Sequence, residues 1–143
     1  FEALKYFAHD PLSQNLPRKD VLASVKKYLA AGVPSMFGFW GYGSFDSGDQ
    51  PGHIPLPTDQ EIVGDPDWGH AIVVIGYDDS RKITNTVSNK TTTGALLIRN
   101  SWGTTWGQAG YGWMPYDYLL RGIALDFWSL LAMKWVDTDQ FFE

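Results

Sequence analysis

From Arg18 to Ala31 the apolar positions fall at Val21, Leu22, Val25, Tyr28 and Leu29, with Lys19, Lys26 and Lys27 on other faces. That i, i+1, i+4, i+7, i+8 stripe predicts an amphipathic helix. Pro17 sits at a permitted start, and Gly32 followed by Pro34 is a stop signal. It is the one long helix that the pattern predicts. The remaining apolar segments are short and bounded by turn residues, as strands are. Ser35–Trp40 reads as a buried strand, thinned at Gly38 where something can approach closely. Trp68–Tyr77 is a continuous β-branched core strand, Gly94–Ser101 its return, Ala109–Pro115 another, and Ala124–Trp135 a last apolar stretch. Phe1–Leu16 reads as extended or loop-like, with Asp10-Pro11 and Leu16-Pro17 disfavouring helix. Gly41–Pro66, rich in Gly, Pro and Asp, reads as a long surface excursion. Asp78–Thr93 reads as a polar hairpin connection. One helix followed by strands with hairpin-type links, and no internal repeat, predicts an α+β fold built on an antiparallel sheet.

Composition narrows what such a fold can do. The 143 residues, 44% hydrophobic and 19% charged, suit one globular domain large enough to hold a core without staples. There is no cysteine. A disulfide framework, a thiolate metal site and a cysteine nucleophile from this chain are thereby excluded. A net charge of -5 argues against nonspecific nucleic-acid binding, and no apolar run reaches the ~20 residues of a membrane-spanning helix. The start at Phe1-Glu2 reads as a processed or truncated piece, so the compartment is left open, secreted and periplasmic included.

Register brings two polar residues together. If 71–78 and 94–101 pair antiparallel around the polar connection, opposite positions sum to about 172. Asn100 then lies opposite Ile72 and His70 opposite Trp102, so His70 and Asn100 become diagonal neighbours on one face. A slip of one residue would separate them. An amide oxygen accepts from one imidazole N–H, fixes the tautomer and leaves the other nitrogen free for proton transfer. Unlike Asp, it adds no negative charge, which suits an imidazolium already paired with an anionic nucleophile. Trp102, two residues on, is placed to cover that hydrogen bond. On spacing alone, the pair also fits a strand-end histidine held by a convenient polar neighbour.

Gly69-His70-Ala71 followed by Val73-Val74-Ile75-Gly76-Tyr77 resembles the histidine segment of papain-like cysteine peptidases. Ile98-Arg99-Asn100-Ser101-Trp102-Gly103, then Trp106-Gly107 and Gly110-Tyr111-Gly112, is similar to that family's asparagine segment, in the same order. Met114–Leu119 and Asp126-Phe127-Trp128 resemble its bacterial members. The resemblance runs from about Pro17 to Trp128. It implies the C-terminal, right-hand domain of a two-domain enzyme, residues 1–143 forming one unit without the N-terminal domain that supplies the nucleophilic Cys and an oxyanion-hole Gln. His70 and Asn100 would be the catalytic residues of this half and Trp102 an auxiliary shield. The Gly69 carbonyl would meet the substrate backbone. Gly38 and Ala71 would line the pocket for the side chain preceding the cleavage residue, with Trp68 and Trp106 also on the substrate side. The thiolate is the nucleophile in this chemistry, so the isolated chain is expected to hydrolyse nothing. Ser24, Ser35, Ser44 and Ser101 lie in no Gly-x-Ser-x-Gly turn.

The implied partners are a polypeptide substrate and either the missing domain or a second copy packed on an exposed apolar face, with no cofactor, metal, nucleic acid or membrane. Two other readings remain: a pseudopeptidase acting as a peptide-binding or inhibitory module, and a Trp-rich carbohydrate-binding domain. His9, Asp10 and His53 lack zinc spacing and are expected in surface loops. Asp46, Asp49, Asp59, Glu61, Asp65 and Asp67 are expected to form a solvated acidic face, without the alternating spacing of a calcium loop. Tyr111, Trp113, Tyr116 and Tyr118 are expected in the sheet core. Asn89-Lys90-Thr91 fits a glycosylation sequon.

Overall fold

Residues 5–132 are described by a computed structural model, in which β1 (Lys5–Ala8), α1 (Arg18–Ala30), β2 (Ser35–Gly41), α2 (Asp59–Val63), β3 (Trp68–Thr84), β4 (Thr91–Arg99), β5 (Tyr111–Pro115), α3 (Tyr116–Leu120) and β6 (Ala124–Ala132) follow one another. The strands form one sheet in the order β1-β6-β2-β3-β4-β5, every neighbour antiparallel. The fold is therefore α+β with an antiparallel sheet, as the apolar pattern predicts.

In β2 the alternation is regular: Ser35, Phe37, Phe39 and Gly41 are buried, while Met36 and Trp40 are exposed. Period-two alternation of this kind puts one face of the sheet on the core. Register extends that face to Ile72 and Val74 of β3, opposite Phe37 and Ser35. Helix α1 covers it with Val21, Val25 and Leu29, all buried. Each such side chain stabilises the fold by about 1.5–3 kcal/mol through loss of apolar surface to water. Phe127 of β6 stacks on Phe37 at 4.5 Å between ring centroids, closing the layer.

The structure departs from the sequence reading in several places. The segment 78–93 is not a loose connection, because β3 continues to Thr84 and β4 begins at Thr91. Its Thr-rich pattern is polar on one side only: Thr84 and Thr91 bond through their hydroxyls at 2.7 Å, while Ile83 is buried. β-branched threonines favour strands even when the segment looks like a loop. Two short helices, α2 and α3, join the expected one, and β1 adds an edge strand within the segment read as extended or loop-like. The final apolar stretch is a strand as far as Ala132, and positions 133–135 lie outside the described residues.

Two of the histidines expected on the surface are buried. His9 is 2% exposed, with Nδ1 2.7 Å from Ser24 Oγ and Nε2 2.7 Å from Ser129 Oγ, tying β1, α1 and β6 together. His53 is held by Asp49 at 2.9 Å and Gln50 at 2.7 Å. Asp10 is also engaged, its carboxylate bound to Arg18 at 3.0 Å. Glu61 does not belong to a solvated acidic face. It closes the capping box of α2 and accepts from the Ser44 N–H at 2.8 Å and hydroxyl at 2.6 Å. Burial pushes its carboxyl up, but the hydrogen bonds from Ser44 and Thr58 outweigh that and hold it below the usual range. Tyr116 and Tyr118 are buried, but in α3 rather than on a strand, whereas on β5 Tyr111 is exposed and Trp113 half-buried.

Candidate active site

His70 stands near the start of β3, opposite Phe39 of β2. Asn100 follows the last residue of β4. The pairs Val73↔Arg99 and Val74↔Ile98 keep the register that puts Asn100 beside Ile72, and the irregularities in this hairpin fall beyond Val74, away from the site. His70 and Asn100 therefore share a face, and His70 Nε2 lies 3.0 Å from Asn100 Oδ1. The Asn100 N–H donates to the Gly110 carbonyl at 2.9 Å, which fixes the residue where the strand ends.

The protonation pattern follows from the neighbours. The Ser101 N–H donates to Asn100 Oδ1 at 2.8 Å, so this atom must be the amide oxygen rather than the nitrogen. An oxygen accepts from His70, so Nε2 carries a proton. In the neutral imidazole Nδ1 is then the unprotonated nitrogen, and it makes no hydrogen bond among the described residues. Asn100 itself is buried, and its Nδ2 has no partner among the described residues.

Trp102 stacks on the imidazole with centroids 5.1 Å apart and planes 23° from parallel. Behind it stands an aromatic wall. Phe45 packs edge-on against Trp68 at 4.9 Å and Trp102 at 5.8 Å, and lies over Trp106 at 6.3 Å. Glycines make room for the indoles: a Cβ on Gly41 would sit 2.3 Å from the Trp68 ring, and one on Gly112 2.7 Å from Trp106. The Trp102–Trp106 and Trp68–Trp102 planes meet at 89° and 61°, which is not the coplanar row that a sugar-stacking surface presents.

Gly38, Gly69 and His70 border a shallow depression of about 200 Å³ together with Trp40, Leu125 and Asp126. Ala71 is exposed and pairs with Gly38, but it does not border this depression. Trp68 belongs to the aromatic wall, and Trp106 borders a separate hollow of about 420 Å³ with Phe45 and His53. The sequence reading therefore missed Phe45, Trp40, Leu125 and Asp126. Phe45 carried a faint signal, being a lone large apolar residue in a Gly/Ser/Asp stretch. The loop that bears it is built rather than loose: the Asn85 amide donates to Ser44 Oγ at 3.1 Å and the Leu56 carbonyl at 2.9 Å. Among the described residues no group of three or more His, Asp or Glu side chains is placed to hold a metal ion.

An antiparallel sheet that carries an oriented imidazole–amide pair at one open end, capped by an indole, defines a candidate proton-transfer site. Residues 58–124 match the sequence profile of the papain family cysteine proteases. An uncharacterized peptidase C1-like protein of Acanthamoeba polyphaga mimivirus is 33% identical over 116 residues, 78% of this chain and 32% of that protein. The cysteine endopeptidase Rep1 of Oryza sativa subsp. japonica is 33% identical over 89 residues, 58% of this chain and 21% of that protein. The crystal structure of xylellain, a cysteine protease from Xylella fastidiosa, superposes with a TM-score of 0.58 at 30% identity, covering 91% of this chain and 40% of that one. The chain belongs to the papain-like cysteine peptidase family. It spans about a third of the viral relative's length and two fifths of xylellain's.

Proposed function

We propose that this chain forms the His/Asn-bearing half of a papain-like peptidase site, hydrolysing peptide bonds with a thiolate supplied by polypeptide outside these 143 residues. The observation that carries the reading is the Nε2–H···Oδ1 bond from His70 to Asn100, which leaves Nδ1 unprotonated and unengaged. In this reading Nδ1 takes the thiol proton, and the resulting imidazolium stabilises the thiolate as a close ion pair. The thiolate attacks the scissile carbonyl, and Nδ1–H protonates the departing amine. Asn100 keeps the ring turned throughout, and its neutral oxygen does not compete with the thiolate for the positive charge. Trp102 keeps water off the orienting bond.

A place for the cysteine-bearing partner is supported by the outer face of the sheet. Met36, Trp40, Leu125 and Trp128 are between 36% and 56% exposed there, turned away from α1. Contiguous apolar exposure of this kind suits a domain or subunit interface. The test is hydrolysis of a fluorogenic peptide. The chain alone is expected to give none, and co-expression with a polypeptide carrying the cysteine half is expected to give activity abolished by His70→Ala. Turnover by the chain alone, or activity indifferent to His70, overturns the proposal.

A further inference from the structure

Helix α2 has only five residues, none of them fully buried, and gives the core no more than a half-buried Ile62. Its Glu61 nevertheless makes more hydrogen bonds than a helix start requires. A capping box uses one carboxylate oxygen on the N-cap N–H, and Oε1 fills that role on Thr58 at 2.8 Å. The same Oε1 also accepts from the Ser44 hydroxyl at 2.6 Å, and Oε2 accepts from the Ser44 N–H at 2.8 Å. Residue 43 is glycine where the carboxylate comes in, since an added Cβ there would lie 3.3 Å from Oε2. One ionised acceptor thus clamps the backbone immediately before Phe45 with charge-assisted hydrogen bonds.

The segment is tied on its other side as well. The Ser47 carbonyl accepts from the Thr86 N–H at 2.8 Å and hydroxyl at 2.9 Å, and the Asn85 amide donates to Ser44 Oγ at 3.1 Å. Phe45 stands between these ties, buried, with its ring against Trp68, Trp102 and Trp106. Trp102 is less constrained. It is 44% exposed, its indole N–H makes no hydrogen bond among the described residues, and it is held on the His70 ring by packing against Phe45, Trp68 and Trp106. Of these three supports, Phe45 is the one whose backbone is anchored by a carboxylate.

We propose that Glu61 is a positioning residue of the candidate site: through Ser44 it fixes Phe45 behind Trp102, and so keeps the indole on the His70 ring. The inference rests on the peptidase reading only for its kinetic arm. It gives α2 a purpose that its packing does not, namely to carry a carboxylate to the far side of the aromatic wall. Glu61 touches neither reacting group, and its influence passes through two side chains to the imidazole.

Glu61→Gln is the informative variant, because it keeps the size and removes one acceptor. Either way round, the amide turns its NH2 toward a backbone N–H, that of Ser44 or that of Thr58, and the clamp is broken on one side. In the first arm, the isolated chain is studied by NMR. In the variant, contacts between the Trp102 and His70 rings are expected to weaken, and the carbon-bound His70 ring protons to move downfield as the stacked indole leaves. The His9 ring and the amides of α1 should keep their positions, which shows the chain to be folded. In the second arm, the peptidase assembled with its cysteine half is expected to lose about threefold in kcat, with KM changed by less than about twofold. Added to Trp102→Ala, the same substitution should lower kcat no further, because its effect runs through the indole. A loss of folded protein alone would act equally in both backgrounds. Unchanged His70 and Trp102 signals in folded Glu61→Gln, or a kcat loss that persists in full beside Trp102→Ala, overturns the inference. If Glu61→Gln does not fold, Ser44→Ala removes only the hydroxyl donor and is expected to move the same signals in the same direction; their constancy there overturns the inference too. If no assembled protein hydrolyses any peptide, the peptidase reading fails while the NMR arm still decides the role of Glu61.

Discussion

His9 and His70 are the same side chain put to opposite uses. His9 is almost wholly buried, and both of its nitrogens are bonded to serine hydroxyls at 2.7 Å. His70 stands at the open end of the sheet with one nitrogen bonded to Asn100 and the other unengaged among the described residues. A histidine whose two nitrogens are both used in neutral hydrogen bonds stabilises the fold; one with a nitrogen left over, oriented by a fixed acceptor, can move a proton. His53, buried with its nitrogens bonded to the Asp49 carboxylate and the Gln50 amide, likewise has no nitrogen to spare. The lesson is that residue type does not single out the reactive histidine. Partial exposure and a nitrogen left without a partner do so together.

That contrast can be broken by substitution. His70→Ala is expected to lower kcat/KM of the assembled peptidase by about 10³-fold or more. Urea denaturation of the chain should move by less than about 1 kcal/mol, since the side chain is only half-buried. Asn100→Ala should cost about 10²-fold in kcat/KM, because the ring can then rotate and the tautomer is no longer imposed. A loss in KM alone would contradict an orienting role. His9→Ala should do the reverse of His70→Ala, removing about 2 kcal/mol of stability by leaving the Ser24 and Ser129 hydroxyls without their partner. Activity per folded molecule should be unchanged. If His9→Ala abolished turnover in protein shown to be folded, the division between the two histidines would collapse.

Smaller effects sharpen the comparison. Trp102→Ala is expected to reduce kcat about tenfold by admitting water to the orienting bond, with little change in stability because the indole is 44% exposed. The smallest expected effect is a pH dependence of stability from His9. Burial lowers its pKa below 6.5, only partly opposed by Asp10. The unfolded chain then binds the proton more readily than the folded one. The stabilising contribution is complete above the unfolded value of 6.5 and is lost as pH falls from there through the depressed folded pKa. Thermal melts from pH 7.5 to 5 should show that decline, and His9→Gln should flatten it.

Much of this was legible in the linear pattern. The stripe Val21, Val25, Leu29 specified α1 and its buried face, and the apolar runs at 35, 68, 94 and 124 marked four strands. The register sum that joins His70 to Asn100 needed only the two strand patterns and the distance between them. The Thr-rich arms of the β3–β4 hairpin were not legible, because β-branched polar residues look like loop by hydropathy and like strand by conformation. Nor were the burial of His53 and the engagement of Glu61, whose hydrogen bonds to Asp49, Gln50, Ser44 and Thr58 are made within the excursion and appear only once it folds back on itself.

By itself, then, the sequence determined α1 and the apolar strands, the pairing of an imidazole with an amide, and the absence of any thiol to complete that pair. Those features depend on residue type and on separations within single strands or one hairpin. The tertiary structure alone decided that His9 is bonded on both nitrogens, that Phe45 stands behind Trp102, and that Asp126 lies at the edge of a depression beside His70. Each of these depends on contacts between segments far apart in the chain, whose geometry no local periodicity encodes.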